Sequence, residues 1–174
     1  MSNEKVIIIG GGLSGILSSI YLLSIKDGPN VILIEKDPEK LGRGIAYQQE
    51  FTSQPLNVIA GSMSIFDHAP DDFMDWLQTN AFRYSNLISE ISPRSFIPRK
   101  IFGDYLTERL KEAHHANSYK FQIVIDEAVS LSTTQNSHTV TLASGNKHMA
   151  NNVVLSIGNF PPGESKAAAD LARS

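Results

Sequence analysis

The chain opens on a short apolar run, Lys5-Val6-Ile7-Ile8-Ile9. It is too short for a helix and rich in β-branched residues, so it predicts a buried parallel strand. Six residues dense in glycine follow, Gly10-Gly11-Gly12-Leu13-Ser14-Gly15, and positions 13–25 are then apolar on most sides, as in a helix packed on a sheet. A second apolar run, Val31-Ile32-Leu33-Ile34, ends in Glu35. Residues 36–52, with Pro38, Gly42 and Gly44, read as loop. Phe73, Met74, Trp76 and Leu77 form the apolar side of a short helix over 71–79, started by Pro70 or Asp71. Another short helix is expected near 86–91, followed by loop. From Arg99 to Ala116 the residues Ile101, Phe102, Tyr105, Leu106, Leu110 and Ala113 fall on one helical face. The period then changes. Residues 121–125, 129–133 and 138–143 alternate in the strand manner, with Ser144-Gly145-Asn146 as a turn, which predicts a strand followed by a small antiparallel meander. Residues 153–157 read as a last buried strand, and the small, polar stretch 164–174 reads as a frayed tail to a domain over 1–163.

Within this pattern Gly10, Gly12 and Gly15 satisfy G-x-G-x-x-G, and Glu35 lies twenty positions after Gly15. Strand, glycine turn, helix, strand and acid together form the dinucleotide fingerprint. Each part has a physical role. Gly10 turns the chain sharply out of the strand. Gly12 lets a pyrophosphate approach the backbone, and Gly15 lets helix and strand pack closely. The helix start, at Leu13 and Ser14, offers unpaired N–H groups and a positive dipole end. Glu35, with Lys36 beside it, can grip ribose hydroxyls, and its carboxylate repels a 2′-phosphate. The plain alternative is a degenerate unit of the same fold that holds no nucleotide.

Composition narrows the classes further. The chain has 174 residues, enough for one domain with a proper core, and a net charge of −3. Bulk attraction to nucleic acid or an anionic membrane is therefore not expected, and an anionic dinucleotide must be held by local dipoles. There is no cysteine, which excludes disulfides, thiolate metal sites and a cysteine redox pair and fits a cytoplasmic protein. Glycines interrupt the apolar stretch 7–25 and no basic segment precedes it, so it reads as neither signal peptide nor membrane span. The histidines show no ligand spacing, and no metal site is expected.

Several later segments have a family likeness. Gly42-Arg43-Gly44-Ile45-Ala46-Tyr47 follows the acid, then come Leu56-Asn57-Val58, the Asp72-Phe73 and Trp76-Leu77 pairs, Pro98-Arg99 through Gly103-Asp104-Tyr105-Leu106, and a closing strand into Gly158-Asn159. In this order they resemble the bacterial FAD-NAD(P)-binding proteins, within the glutathione-reductase-like superfamily of two-dinucleotide-domain flavoproteins. The likeness runs over about residues 5–162. It implies an α/β fold, a Rossmann-like parallel sheet with helices on both faces and an antiparallel β-meander. It implies FAD as cofactor, with pyrophosphate over Gly10–Gly15, adenosine on Glu35, and adenine passed by the backbone of Ala128 and Val129. It also implies a flavin-dependent oxidoreductase with an undefined small-molecule substrate and NAD(P)H as possible electron donor, some members resembling flavin N-hydroxylases. It transfers no catalytic residue. Superfamily members continue well past the last strand, so the flavin ring site is expected to be incomplete here. The chain alone is then not expected to turn over, and self-association or docking to a further C-terminal region becomes a possible partner interaction.

Individual residues have bland readings beside the functional ones. Arg43, between Gly42 and Gly44, can reach phosphate oxygens with a paired guanidinium or remain a solvated loop residue. Asn57 can bond the cofactor or cap a turn. Arg99 and Lys100 can face the dinucleotide or stand unpartnered at a helix start, and Asp71 and Asp72 read as helix caps. Gly158 and Asn159 end a strand beside the crevice where α/β sheets place ligands. Two rival functions stay open: an NAD-binding domain of a dehydrogenase, which the meander disfavours, and a non-catalytic nucleotide-binding or interaction fragment.

Overall fold

A computed structural model describes residues 4–158. Asn159 and the expected tail over 164–174 lie outside the described residues. Strand β1 (Lys5–Ile9) leads into helix α1 (Leu13–Ser24) and strand β2 (Asn30–Glu35). After a long irregular segment come helices α2 (Asp72–Thr79) and α3 (Arg99–Ala116). Strand β3 (Phe121–Ile125) precedes the meander β4 (Ala128–Thr133), β5 (His138–Leu142) and β6 (Lys147–Ala150), and β7 (Asn152–Leu155) closes the described chain.

The sheet order is β3-β2-β1-β7, with every pair parallel, while β4-β5-β6 form a separate antiparallel sheet. The chain moves outward from β1 to β2 and β3, then returns to the opposite side of β1. The break between β1 and β7 is thus a topological switch point, where open α/β sheets leave a crevice at the carboxyl ends of their strands. No helix among the described residues is long and apolar enough to cross a membrane.

Both faces of the parallel sheet are covered, which explains the unbroken apolar runs of β1 and β2. Val6, Ile8, Val31 and Leu33 face a core completed by α1, α2 and α3. Their strand neighbours Ile7, Ile32 and Ile34 face Val140, Leu142 and Ala150 of the meander. Here the structure corrects the expectation of helices on both faces. The helices share one face, and the meander covers the other. Its alternating positions supply the apolar layer that a second set of helices would otherwise provide.

Other differences are local. The helix expected near 86–91 is absent, and a 3₁₀ turn stands earlier, at Ala81–Tyr84. Asp71 occupies the N-cap position of α2 but makes no side-chain cap hydrogen bond. Asp72 does not cap either: its carboxylate accepts from Tyr105 Oη at 2.5 Å and from Arg109 Nε and Nη2, both at 2.9 Å. This network sits beside a ring cluster of Phe73, Trp76, Phe102 and Tyr105, with Phe73 and Tyr105 centroids 5.0 Å apart. Burial, reinforced by donation to Asp72, holds the Tyr105 phenol well above its ordinary pKa range. Trp76 is core, as its spacing with Phe73 and Leu77 predicts.

The division of the sheet into two buried faces gives a direct test. Leu142 is 2% exposed and Leu131, on the same meander, is 42% exposed. Leu142→Ala is expected to cost about 2–4 kcal/mol in denaturant unfolding, and Leu131→Ala about 0.5 kcal/mol or less. Equal losses would contradict the packing of the meander on the sheet.

Candidate functional site

The glycine turn is built by two close approaches. Gly10 has φ +103°, a region open to glycine alone at little cost, and a Cβ there would lie 2.3 Å from the Ser156 carbonyl oxygen. A Cβ on Gly15 would lie 1.9 Å from the Gly10 carbonyl oxygen. Both glycines are therefore required by the protein's own backbone. Gly12 is different. Its φ of −75° suits any residue, and a Cβ would meet only the Gly44 backbone, no nearer than 3.4 Å, an ordinary separation. Nothing in the described fold demands glycine at this position.

Gly12 is the N-cap of α1 and brings no side chain to the helix start. The first-turn amides, which include those of half-buried Leu13 and exposed Ser14, have no acceptor within the helix. Their dipole end faces out of the turn.

Glu35 ends β2 with its carboxylate directed into this turn. Oε2 accepts from the Gly11 amide at 2.7 Å and Oε1 from the Asp37 amide at 3.0 Å. The side chain is nearly buried, and both oxygens keep lone pairs for a further donor such as a sugar hydroxyl. Beside it a cleft of about 350 Å³ is lined by Gly10, Glu35 and Lys36 on one side, Asp126, Glu127 and Ala128 on the other, and Ile157. Lys36 Nζ reaches Glu127 Oε1 at 3.3 Å, an exposed pair worth little in stability. A hydrogen bond from Ser144 holds the Asp126 carboxyl below its ordinary range. With Glu35, Asp126 and Glu127 against Lys36, this end of the site does not attract anions through charge. An anionic group at this end would depend on backbone amides and not on side-chain charge.

The structure thus gathers Gly10, Glu35, Lys36 and Ala128 at one cleft. Val129 follows on β4 with its side chain exposed. Gly158, also exposed, comes just after β7 with φ +69°. Gly42 and Gly44 lie against the glycine turn: Gly42 N–H donates to Gly11 O at 2.8 Å, and the Gly44 backbone packs on Gly12. Arg43 is neither solvated nor free. It is 8% exposed and its Nη2 lies 2.5 Å from Asp104 Oδ1, with Nη1 donating to Tyr47 O at 3.4 Å. Asn57 is exposed, and its Oδ1 accepts from Arg99 Nη2 at 2.9 Å. Arg99 and Lys100, read as possible ligand contacts or unpartnered charges, both have protein partners: Pro55 O and Asn57 for Arg99, Asp104 for Lys100.

Sequence reasoning gave no site role to Asp126, Glu127 and Ile157 at the cleft, nor to Thr107 and to Gly103 and Asp104 behind the glycine turn, the last two standing only within a family segment. A signal existed for the second group. Glycine inside a helix costs about 1 kcal/mol relative to alanine, so Gly103 in α3 implied a close neighbour. A Cβ there would lie 2.4 Å from Tyr47 O and 2.9 Å from Arg43 Nη1.

A parallel sheet, a glycine turn gripped by the carboxylate of the second strand, and a meander on the opposite face together form a dinucleotide-binding type of fold. Residues 7–160 match the FAD-NAD(P)-binding family, and the chain belongs to it. A search of curated protein sequences finds no match. Among solved structures the chain is similar to a flavin-containing monooxygenase from Stenotrophomonas maltophilia, with a TM-score of 0.60, 17% identity, and cover of 94% of this chain and 42% of the other. It is also similar to the bacillithiol disulfide reductase Bdr (YpdA) from Staphylococcus aureus, with a TM-score of 0.54, 17% identity, and cover of 91% and 39%. For FqzB the TM-score is 0.57 at 16% identity, with cover of 98% and 39%. The chain therefore spans only about two fifths of each of these proteins, and at such identities the likeness is one of fold.

Asp104 yields a pH prediction. Burial alone raises its pKa, but hydrogen bonds from Lys100 and Arg43 and the two positive charges outweigh it and hold the carboxyl below its ordinary value. A carboxyl depressed in the folded state stabilises fully above its unfolded pKa of about 3.9 and loses that contribution as pH falls through the folded value. The stability advantage of the wild type over Asp104→Asn is expected to be constant near neutrality and to shrink below about pH 4. Denaturant midpoints across that range check it. A gap that widens on acidification would reverse the assignment.

Proposed function

We propose that this domain holds FAD across the carboxyl ends of β1 and β2, as the cofactor-binding part of a flavin-dependent oxidoreductase. The diphosphate rests on the first-turn amides of α1 at Gly12, Leu13 and Ser14, with Gly10 and Gly15 shaping the turn. Glu35 accepts from the ribose hydroxyls. Lys36, Ala128 and Val129 flank the adenosine through backbone and cleft wall, and Gly158 borders the crevice beyond β7. Arg43, Gly42 and Gly44 support the turn through protein contacts, and Asn57 holds Arg99 at the start of α3. FAD supplies the electron chemistry when bound, and this chain's residues bind and orient it. NAD(P)H fits as the electron donor. The acidic cleft disfavours a 2′-phosphorylated ribose at this site.

The observation that carries this reading is Gly12. Gly10 and Gly15 are explained by the protein itself, whereas Gly12 has neither a left-handed backbone nor a steric neighbour that requires it. Space kept clear without an internal reason is space for an incoming group, and it lies at a helix start with open amides.

Gly12→Ala separates the two roles. It is expected to leave stability within about 0.5 kcal/mol of wild type, while weakening FAD binding by about ten-fold or more. Gly15→Ala, by contrast, is expected to destabilise by about 1–3 kcal/mol. Unfolding curves and calorimetric titration with FAD and with NAD measure both. Undiminished affinity in folded Gly12→Ala would sink the proposed diphosphate position. Tighter binding of NAD than FAD would move the domain to the dehydrogenase reading.

A further inference from the structure

The segment after the second strand is fixed from behind by α3. Gly42 packs against Thr107, where a Cβ would lie 2.3 Å from the hydroxyl oxygen. Gly103 leaves a notch in α3, filled by the Arg43 guanidinium and the Tyr47 carbonyl. Asp104 closes the notch. Its Oδ1 takes Arg43 at 2.5 Å and its Oδ2 takes Lys100 Nζ at 2.6 Å and Tyr84 Oη at 3.0 Å. The Arg43 and Asp104 side chains are only 9% and 10% exposed. On its other side the same loop touches the glycine turn, through the 2.8 Å hydrogen bond from Gly42 N to Gly11 O and through Gly44, where an added Cβ would come 3.2 Å from the Gly12 backbone. α3, loop and turn thus form one continuous stack.

We infer that Asp104 and Arg43 are positioning residues for diphosphate binding: the pair clamps the loop of Gly42 and Gly44 onto Gly11 and Gly12 and so fixes the direction of the first-turn amides. Neither side chain touches the ligand. A guanidinium beside a phosphate site usually invites assignment as a phosphate contact, but this one is already spent on a carboxylate, a carbonyl and a helix notch. The effect travels through backbone. A removed Asp104 leaves a buried, unpaired guanidinium that must leave the notch, and the loop can then no longer hold Gly44 against Gly12. The adenosine end meets the stack at Gly11, whose amide donates to Glu35 Oε2 at 2.7 Å, but the Asp37 amide on Glu35 Oε1 and the cleft wall of Lys36, Glu127 and Ala128 lie outside it.

The inference rests on the FAD-binding reading, and the test separates the two. The 174-residue chain, Asp104→Asn and Arg43→Lys are titrated calorimetrically with ADP, which engages both ends of the site, and with adenosine, which engages only one. The wild type is expected to bind ADP more tightly than adenosine. In both variants ADP affinity is expected to fall about ten-fold or more as preorganisation is lost, while adenosine affinity stays within about two-fold. Near-UV circular dichroism confirms folding. If neither charge variant folds, Gly44→Ala carries the test, since it leaves the ion pair whole but strains the loop at a φ of +53° and brings a Cβ to 3.2 Å from Gly12, and the same selective loss of ADP is expected. An unchanged ADP-to-adenosine ratio in a folded variant overturns the proposal. An equal loss of both ligands also overturns it, because it marks a purely structural role. Failure of the wild type to bind ADP overturns the nucleotide reading and the positioning role with it.

Discussion

Helix α1 can seat on strand β1 only because Gly15 lets two backbones touch. With no Cβ between Gly15 and the Gly10 carbonyl, the helix start drops to the level of the strand end. The amides of the first turn are thereby brought beside Glu35, and the Glu35–Gly11 hydrogen bond locks that juxtaposition. A helix held one side-chain radius further out would still cover the sheet. It would no longer present its dipole end at the mouth of the crevice between β1 and β7. The open helix start and the core packing are here consequences of the same contact.

The three spaced glycines, Gly10, Gly12 and Gly15, illustrate how a motif mixes obligations. Two of them answer to chain geometry and one answers to none. The Gly42–Gly44 loop adds a further layer, since Gly42 and Gly103 let three backbone segments and one guanidinium converge within a few ångströms. Charge then compensates for burial. Asp104 offers two oxygens to Arg43, Lys100 and Tyr84, and no buried side-chain nitrogen or oxygen among the described residues lacks a partner. Replacing one member of such a network removes more than one bond.

Much of this architecture could be read from the chain alone because it is local. The apolar runs of β1 and β2, the facial pattern of α3 and the alternation of the meander each lie within a single element, and each appears where its period places it. The face on which the meander packs could not be read, because period two says only that one side is buried and not against what. The 81–91 region misled for a related reason: Tyr84, Leu87 and Ile88 are anchored by tertiary contacts, not by helical repetition. Arg43 shows the limit most clearly. Its partner lies 61 positions away in α3, so a sequence that marks the loop as special through two glycines cannot say which acid the cation will meet.

The chain contains a single tryptophan, Trp76, and it lies in the ring cluster between α2 and α3, with its indole N–H on Glu108 at 3.0 Å. It does not line the cleft beside Glu35. Its emission is therefore an optical gauge of the helical layer and not of cofactor occupancy. A ligand that alters indole fluorescence by more than energy transfer to its own chromophore has changed the surroundings of Trp76, which include Glu108 and the Tyr84 ring, and a ligand that leaves the spectrum still has left that layer undisturbed.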